Sequence, residues 1–264
     1  MGKVYVILSG KGGVGKTTSA INLGTTMNAF GKEVIIVDAN LTTPNVGLHL
    51  GSPIVPTTLN DVLNNKSKPD EAIYEHESGT KILPSSLAIA EMKKINHNRL
   101  ADVTKRLRKI SDYTVIDSSA GLGEEARAAI KSADEVIIIT NPEMSAVTDA
   151  LKAIKLSEQM KKEVLGCVIT RHTGSKLDMD LATIRDMLEA PILGIVPEDR
   201  AIKESQAMKR PVIHSHPRSK AAKAYHKITR RILGPEYINQ QMQLEENAQA
   251  TEGLFKTFIR KIFG

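Results

Sequence analysis

A glycine-rich octet between an apolar run and a helical pattern constrains this chain more than any other feature. Its residues, Gly10-Lys11-Gly12-Gly13-Val14-Gly15-Lys16-Thr17, fit the pattern G-x-x-x-x-G-K-[ST]. Residues 5–8 form a short apolar strand pattern before the octet, and a helical pattern begins at Thr17. Glycines allow the backbone N–H groups to point inward, and the N-terminus of the helix adds partial positive charge. The octet therefore predicts a phosphate-binding loop between a strand and a helix.

The polar residues of this loop predict that it binds ATP together with Mg2+. Lys16 is expected to reach the β- and γ-phosphates, and Thr17 to place its hydroxyl on the metal ion. Thr18 would lie near the α-phosphate, and the backbone of residues 10–15 would surround the phosphates. We therefore expect ATP and Mg2+ as cofactors, with ATP hydrolysis as the reaction. A glycine-rich turn without a ligand is the alternative.

Short apolar runs rich in Val and Ile recur along the chain, and amphipathic segments separate most of them. The apolar runs occupy residues 3–8, 33–38, 81–84, 113–117, 135–140, 164–170 and 192–196. The helical patterns occupy residues 17–30, 98–110, 124–132, 146–161, 178–188, 200–209 and 218–233. Most apolar runs do not alternate with polar residues, which is typical of strands buried on both faces. The pattern predicts an α/β fold: a doubly wound, mainly parallel sheet with helices on both faces.

Composition divides the 264 residues into three parts. We expect a P-loop ATPase domain over residues 1–234, because the strand and helix patterns end there. Residues 235–253 are rich in Gln, Asn, Glu and Ala, which predicts a polar linker. Residues 254–264 form a distinct final segment.

Cysteine content and charge restrict the compartment and the partners. The single cysteine, Cys167, lies within an apolar run, so we expect a core residue, no disulfide within the chain and a cytoplasmic protein. No stretch reaches the roughly 18 apolar residues of a membrane span. The formal charge of +6 is compatible with nucleic acid or with an anionic membrane surface. Aromatic residues make up 3% of the chain, which argues against a stacking platform for single strands.

Lys11 is an addition that an ordinary phosphate loop does not require. The string from Lys11 to Thr18 resembles the deviant Walker A motif of the MinD/ParA family of ATPases. In that family this lysine reaches across a nucleotide-sandwich dimer to the partner's phosphates. The resemblance implies that Lys11 acts in trans and that ATP joins two copies into a homodimer. A solvated loop lysine is the alternative.

The segment that follows the second apolar run resembles the switch I segment of the same family. Asp38 matches the first acid of the family pattern Asp-x-Asp, and Asn40 stands where the family places the second. The family uses that second position to orient or activate the attacking water. Because an amide holds a water but accepts no proton, Asn40 predicts slow turnover and a long-lived ATP state. The candidate catalytic residues are thus Lys11, Lys16, Asp38 and Asn40.

Three further sets of residues match the family pattern: the metal-binding acid, the switch II segment and the residues around adenine. Asp117 ends an apolar run in a Walker B arrangement and is expected to hold Mg2+ through a water, together with Thr17. The following residues, 118–121, resemble switch II, with Ser119 in place of the usual proline. Residues at the positions where MinD-type proteins enclose adenine complete the expected nucleotide site; they are Thr170, Arg171, Pro197, Glu198 and Asp199.

The final segment has the pattern of an amphipathic helix. Its apolar positions are Leu254, Phe255, Phe258, Ile259, Ile262 and Phe263. Lys256, Arg260 and Lys261 lie on the other half of the helix. A bulky apolar face opposite a cationic face is suited to the surface of an anionic membrane. The MinD branch of the family has this arrangement at its own C-terminus; packing on the protein's own core or on a partner is the alternative.

These features together predict a MinD-type ATPase that cycles between the cytoplasm and the inner face of the cell membrane. It would position other components, with an activating protein and a cargo that the sequence does not identify. One rival is a ParA-type partitioning ATPase that binds DNA non-specifically through Lys203, Lys209, Arg210, Arg218 and Lys220. The terminal segment counts against this rival, so nucleic acid is the less favoured partner. A scaffold that binds ATP with little hydrolysis is the other alternative.

Overall fold

The computed structural model of the chain describes residues 1–52, 54–88 and 95–234. Within these ranges eight strands form a single sheet. The strands are β1 (Lys3–Ser9), β2 (Val34–Ala39), β3 (Tyr74–Glu75), β4 (Lys81–Leu83), β5 (Tyr113–Ala120), β6 (Glu135–Thr140), β7 (Glu163–His172) and β8 (Ile192–Pro197). Their order across the sheet is β3-β4-β2-β5-β1-β6-β7-β8. Every pairing is parallel except that of β3 with β4. The predicted doubly wound α/β fold is confirmed.

Helices connect the strands and cover both faces of the sheet. They are α1 (Lys16–Ala29), α2 (Val46–His49), α3 (Leu59–Leu63), α4 (Leu100–Leu107), α5 (Glu124–Ser132), α6 (Met144–Gln159), α7 (Leu181–Leu188), α8 (Arg200–Ala207), α9 (Val212–Ser215) and α10 (Lys220–Leu233). Short 3-10 turns occupy Pro69–Ala72 and His97–Arg99. None of the helices in the described ranges is long and apolar enough to cross a membrane.

The core consists of two apolar layers, one on each face of the sheet. Val4 and Val6 of β1 belong to the layer that α3 to α7 cover, whereas Tyr5 and Ile7 belong to the layer of α1, α2, α8, α9 and α10. This alternation follows from the two-residue period of a strand. Because both layers are covered, β1 is apolar at consecutive positions rather than at every second one. Cys167 is fully buried in β7, as predicted.

The topology brings the functional segments to one edge of the sheet. β5 lies between β1 and β2, and Asp117 is the register partner of both Ile7 and Asp38. The carboxyl ends of these three parallel strands therefore meet at the same place. The chain leaves β1 toward β2 on one side, whereas β6 lies on the other side, which makes β1 the position where the strand order reverses. Ligands of open α/β sheets bind at such a switch point.

The structure contains short elements that the pattern analysis did not predict. They are β3, α2, α3 and α9, each two to five residues long. A segment of that length has no complete hydrophobic period, so only its tertiary environment determines its conformation. The predicted helix over residues 98–110 is a 3-10 turn followed by the shorter α4. The predicted linker, 235–253, and the predicted amphipathic helix, 254–264, lie outside the described residues and stay predictions.

Candidate nucleotide site

The glycine-rich loop runs from the end of β1 to the beginning of α1. Gly13 and Gly15 have φ angles of 78° and 87°, a left-handed conformation that side chains disfavour. Gly15 is also the N-cap of α1, and no side chain caps this helix. The first backbone N–H groups of α1 thus keep their hydrogen-bonding capacity for a ligand. A Cβ at Gly13 would meet no atom within 4 Å, so the loop borders open space rather than packed protein.

Lys16, Thr17 and Asp117 form a connected cluster beneath this loop. The ammonium of Lys16 donates to Asp117 Oδ1 at 2.9 Å and to the carbonyl of Ser118. Thr17 Oγ1 donates to Asp117 Oδ2 at 2.6 Å. Asp117 is fully buried and Lys16 is 7% exposed, so the cluster lies in a region of low dielectric, where charge interactions are strong.

Asp38 is a second buried carboxylate next to this cluster. It accepts backbone hydrogen bonds from Asn45 and Val46 at 2.9 Å and from Asn40 at 3.2 Å, and these bonds fix the switch I segment to the end of β2. Burial, with a smaller contribution from the charge of Asp117, raises the pKa of Asp38 to about 7. The three backbone N–H groups oppose this rise because they stabilise the charged form. A divalent cation nearby would favour the carboxylate form of Asp38.

The side chain of Asn40 is engaged with its own loop. Asn40 Nδ2 donates to the carbonyl of Thr43 at 2.6 Å, and Asn40 Oδ1 accepts from Thr43 Oγ1 at 3.0 Å and from Thr43 N at 3.3 Å. Asn40 is nevertheless one of the residues that line the phosphate pocket. The amide therefore closes the switch I loop and has one N–H left for a further partner.

Lys11 lies at the exposed margin of the loop. Its ammonium donates to Glu143 Oε2 and to Ser145 Oγ, both at 3.1 Å. The side chains of Lys11 and Glu143 are 41% and 57% exposed. A surface ion pair of this kind contributes about 0–1 kcal/mol and breaks easily. Sequence patterns did not indicate Glu143 and Ser145, because no motif includes them.

Most of the predicted loop residues line a pocket, whereas Gly10 and Val14 pack against the surrounding protein. The phosphate pocket is lined by Gly12, Gly13, Gly15, Lys16, Thr17, Thr18, Asn40, Thr43, Asn45, His49, Ala120, Arg171 and Gln206. Gly10 packs instead against the backbone of Asp149, where a Cβ would overlap the carbonyl. Val14 is buried in the core, and its carbonyl accepts a hydrogen bond from Thr170 Oγ1.

The residues predicted to enclose adenine line a second cavity beside the first. Gly15, Thr18 and Arg171 border both cavities. The predicted set Thr170, Arg171, Pro197, Glu198 and Asp199 lines this second cavity together with Val196, Ile202, Lys203, Gln206 and Tyr225. The strand ends of β7 and β8 thus come together as the sequence predicted, and their role in binding the base remains a proposal.

Asp199 also has a structural task. Its carboxylate accepts from the backbone N–H of Ala201, which caps α8, and from that of Ala221, which joins α8 to α10, both at 3.0 Å. Burial raises the pKa of Asp199, but the hydrogen bonds from Ala221 and Ala201 outweigh it, and the net shift is downward. Asp199 therefore stays ionised and shapes the cavity wall.

Several residues that line the two cavities were not predicted as site residues, among them Gln206 and His49. Gln206 Nε2 donates to Thr18 Oγ1 at 3.1 Å and borders both cavities. His49 lies in the phosphate pocket, and its Nδ1 hydrogen-bonds to the carbonyl of Asn45 at 2.8 Å. Both residues belong to helices outside the motifs, so only the tertiary structure shows that they line the site.

The arrangement fits a nucleotide triphosphate with a divalent cation. An uncapped helix N-terminus and a buried ammonium are suited to phosphate groups. Thr17 and Asp117 place a hydroxyl and a carboxylate side by side, and oxygen donors of this type are the ligands that Mg2+ prefers. Among the described residues no group of three or more His, Cys, Asp or Glu side chains is arranged to hold a metal ion.

Comparisons with known proteins agree with this geometry. The family model described as ParA, NUBPL iron-transfer P-loop NTPase, matches residues 1–233. An uncharacterised ATP-binding protein of Methanocaldococcus jannaschii is 33% identical over 264 residues, which cover 100% of this chain and 98% of that protein. The septum site-determining protein MinD of Bacillus subtilis is 33% identical over 267 residues, and the match covers 98% of each chain.

A solved structure shows the same fold at similar identity. The septum site-determining protein MinD of Pyrococcus horikoshii, complexed with Mg-ADP, superposes with a TM-score of 0.84 at 34% identity. The match covers 88% of this chain and 96% of that chain. Cys167 is the single cysteine of the sequence, and it is buried. Burial raises the pKa of its thiol to about 12. The sequence therefore offers no exposed pair of thiolates for iron transfer. The chain belongs to the MinD/ParA family of P-loop ATPases, whose cofactors are ATP and Mg2+.

Proposed function

We propose that this ATPase is a spatial switch whose ATP-bound homodimer associates with an anionic membrane surface. Two copies pair around ATP, the pair places two copies of residues 254–264 on the membrane, and hydrolysis returns monomers to the cytoplasm. The similarity to septum site-determining proteins supports a role in positioning, of the division site or of another cellular component. The activating protein and the positioned cargo are partners still to be identified.

The observation on which the dimer depends is the position of Lys11. Its side chain lies at the exposed margin of the phosphate loop, and among the described residues it is restrained only by a surface pair with Glu143 and a hydrogen bond to Ser145. A lysine held this weakly can exchange its partners for the phosphates of a second subunit at little cost in free energy. A second subunit whose Lys11 reaches the phosphates can pair only with a subunit that has ATP bound. ATP binding would therefore control dimerisation.

Hydrolysis is proposed to be slow because the pocket positions a water without a strong base. Lys16, which is paired with Asp117, would neutralise phosphate charge, and the adjacent Thr17 and Asp117 would hold the metal ion. Asn40 stands where the family places an acid, and its amide accepts no proton. A slow chemical step would give each dimer a long residence on the membrane.

The membrane step is proposed to depend on avidity. Burying six large apolar side chains yields roughly 1.5 kcal/mol or more each. Ordering about ten residues costs roughly 1 to 2 kcal/mol each, so one copy should bind marginally. Two linked copies commonly bind about 10² to 10⁴ times more tightly than one. Dimerisation would therefore decide whether the protein is on the membrane.

The test of the pairing step is the mass of the protein in solution with a non-hydrolysable ATP analogue and Mg2+. We expect light scattering to show a dimer with the analogue and a monomer with ADP. Lys11→Ala should remain monomeric while it still binds the analogue, because Lys16 and the loop backbone are intact. Lys109→Ala, an exposed lysine at the end of α4, is the matched control and should dimerise like the wild type. A monomeric wild-type protein under these conditions would refute the proposed switch.

DNA partitioning is the alternative that the basic surface leaves open. Lys203, Lys209, Arg210, Arg218 and Lys220 are exposed in the structure. Binding to duplex DNA with a steep dependence on salt, in place of vesicle binding, would favour that function. Phosphate release that stays at the background rate in saturating ATP, with and without lipid, would favour a scaffold instead.

A further inference from the structure

Helix α10 (Lys220–Leu233) concentrates positive charge on the surface. Its basic residues are Lys220, Lys223, Lys227, Arg230 and Arg231, and all five are exposed. The helix contains no acidic residue. Most surface helices mix both signs of charge, so this concentration of one sign on a single helix calls for a physical explanation.

Four of these residues form a continuous row, here called the α10 stripe: Lys220, Lys223, Lys227 and Arg231. Their spacing of three, four and four residues places them on one face of the helix. The α10 stripe borders a shallow groove with an apolar floor. The floor consists of Leu193, Gly194, Ile195, Pro197, Ala224 and Ile228.

The α10 stripe is held rigidly against the edge of the sheet. β8 is the last strand in the sheet order, and Arg231 Nη1 donates to the carbonyls of Ile192 and Leu193 at 3.0 and 2.9 Å. Gly194 lets α10 approach β8 so closely that a Cβ there would overlap Ile228. The backbone positions of the basic residues along this edge are therefore fixed by the fold.

The lysines at the centre of the α10 stripe have no opposite charge beside them. Lys223 and Lys227 make no ion pair with any residue in ranges 1–52, 54–88 and 95–234. Like charges held on one face repel one another, and an extended anionic surface relieves that repulsion. The chemistry of the α10 stripe thus fits a partner with many negative charges.

We propose that the α10 stripe lies against anionic lipid headgroups and forms a second membrane contact beside residues 254–264. This inference rests on the membrane association proposed above. Helix α10 ends at Leu233, and the linker over residues 235–253 has 19 residues, a reach of at most about 65 Å when fully extended. Once the terminal segment is in the membrane, the α10 stripe cannot move farther than this reach from the same surface. Each lysine close to an anionic surface increases binding about fivefold, an effect limited to a Debye length of about 10 Å.

The test measures how the full-length protein, loaded with a non-hydrolysable ATP analogue and Mg2+, partitions onto vesicles. The vesicles are phosphatidylcholine with or without phosphatidylglycerol. Lys223→Gln/Lys227→Gln should lower the partition coefficient on the anionic vesicles by at least about 25-fold at low salt, because each copy loses two lysines, and by less at high salt. Lys223→Arg/Lys227→Arg keeps both charges and should bind like the wild type.

The matched control removes two exposed lysines from the opposite layer of the protein. Lys109→Gln/Lys131→Gln changes the net charge equally, but these residues follow or belong to helices on the other face of the sheet. The control should retain most vesicle binding. Thermal unfolding and the ATPase rate of both double variants should match the wild type, since none of the four lysines lines the nucleotide cavities.

Deletion of residues 254–264 separates this inference from the proposed function. If the deletion abolishes vesicle binding and the α10 variant binds as well as its control, only the α10 inference is wrong. If the deletion leaves binding intact and the α10 variant loses it, the terminal segment is not the anchor and the α10 inference stands. If the α10 variant loses only duplex DNA binding, the partner is nucleic acid and the inference is overturned, as it is if the wild type binds no anionic vesicle.

Discussion

Two neighbouring residues of switch I have separate tasks, which the spacing Asp-x-Asn alone does not show. Asp38 is fully buried and accepts three backbone hydrogen bonds, so it fixes the path of the loop. Asn40 lies at the pocket and closes the loop through Thr43. At the scale of single residues, we propose that Asn40 limits the rate of hydrolysis, because an acid at this position would add a proton acceptor.

The residue-scale prediction concerns Asn40→Asp. A carboxylate keeps the acceptor bonds from Thr43 but is repelled by the Thr43 carbonyl that Asn40 Nδ2 now contacts at 2.6 Å. One oxygen should therefore turn toward the pocket and accept a proton from water. We expect phosphate release at saturating ATP to increase about tenfold or more, within the range of general base catalysis.

Asn40→Ala provides the control for that measurement. It removes the loop contacts without adding a base, so its rate should not exceed that of the wild type. An Asn40→Asp rate equal to the wild-type rate would show that the residue does not limit turnover.

At the scale of elements, the site consists of residues on strands of the sheet and at the start of α1. Close packing of these elements fixes the positions of the site residues. The phosphate loop joins β1 to α1, Asp38 lies in β2, and Asp117 lies in β5, so the sheet register determines their mutual distances. The predicted order of strands and helices is confirmed. The short helix α2, which contributes His49, was missed because four residues contain no readable period.

The element-scale prediction concerns the contact of α10 with β8. Gly194→Ala should lower the free energy of unfolding by about 1–3 kcal/mol, because the new methyl group overlaps Ile228 in a packed interface. Urea unfolding of the single variants and of Gly194→Ala/Ile228→Ala measures the coupling. The double variant should be more stable than additivity predicts, since truncating Ile228 makes room for the methyl group. Strict additivity would show that the two residues do not compete for space.

At the scale of the whole molecule, the proposed switch joins a nucleotide site to a membrane anchor at the other end of the chain. The nucleotide site and the anchor need not contact each other, because dimerisation alone doubles the number of anchors. The family comparisons establish the ATPase domain, whereas pairing and membrane binding are proposals that follow from Lys11 and from residues 254–264.

The whole-molecule prediction is that deletion of residues 254–264 uncouples these events. The shortened chain should hydrolyse ATP and dimerise with the ATP analogue as the full chain does, because the described core ends with α10. Its sedimentation with anionic vesicles in the presence of ATP and Mg2+ should fall to the level seen with ADP. Sedimentation equal to that of the full chain would refute the proposed anchor.

The sequence by itself determined the fold class, the phosphate loop, the positions of Asp38 and Asp117 on two strands, and the family. These features are local: each consists of residues close together in the chain, with a period or a spacing that physical chemistry links to one structure. Only the tertiary structure decided that Glu143 and Ser145 hold Lys11, and that Gln206 and His49 line the phosphate pocket. Such contacts depend on how separate elements pack, and no spacing along the chain encodes a distance between side chains that the sheet brings together.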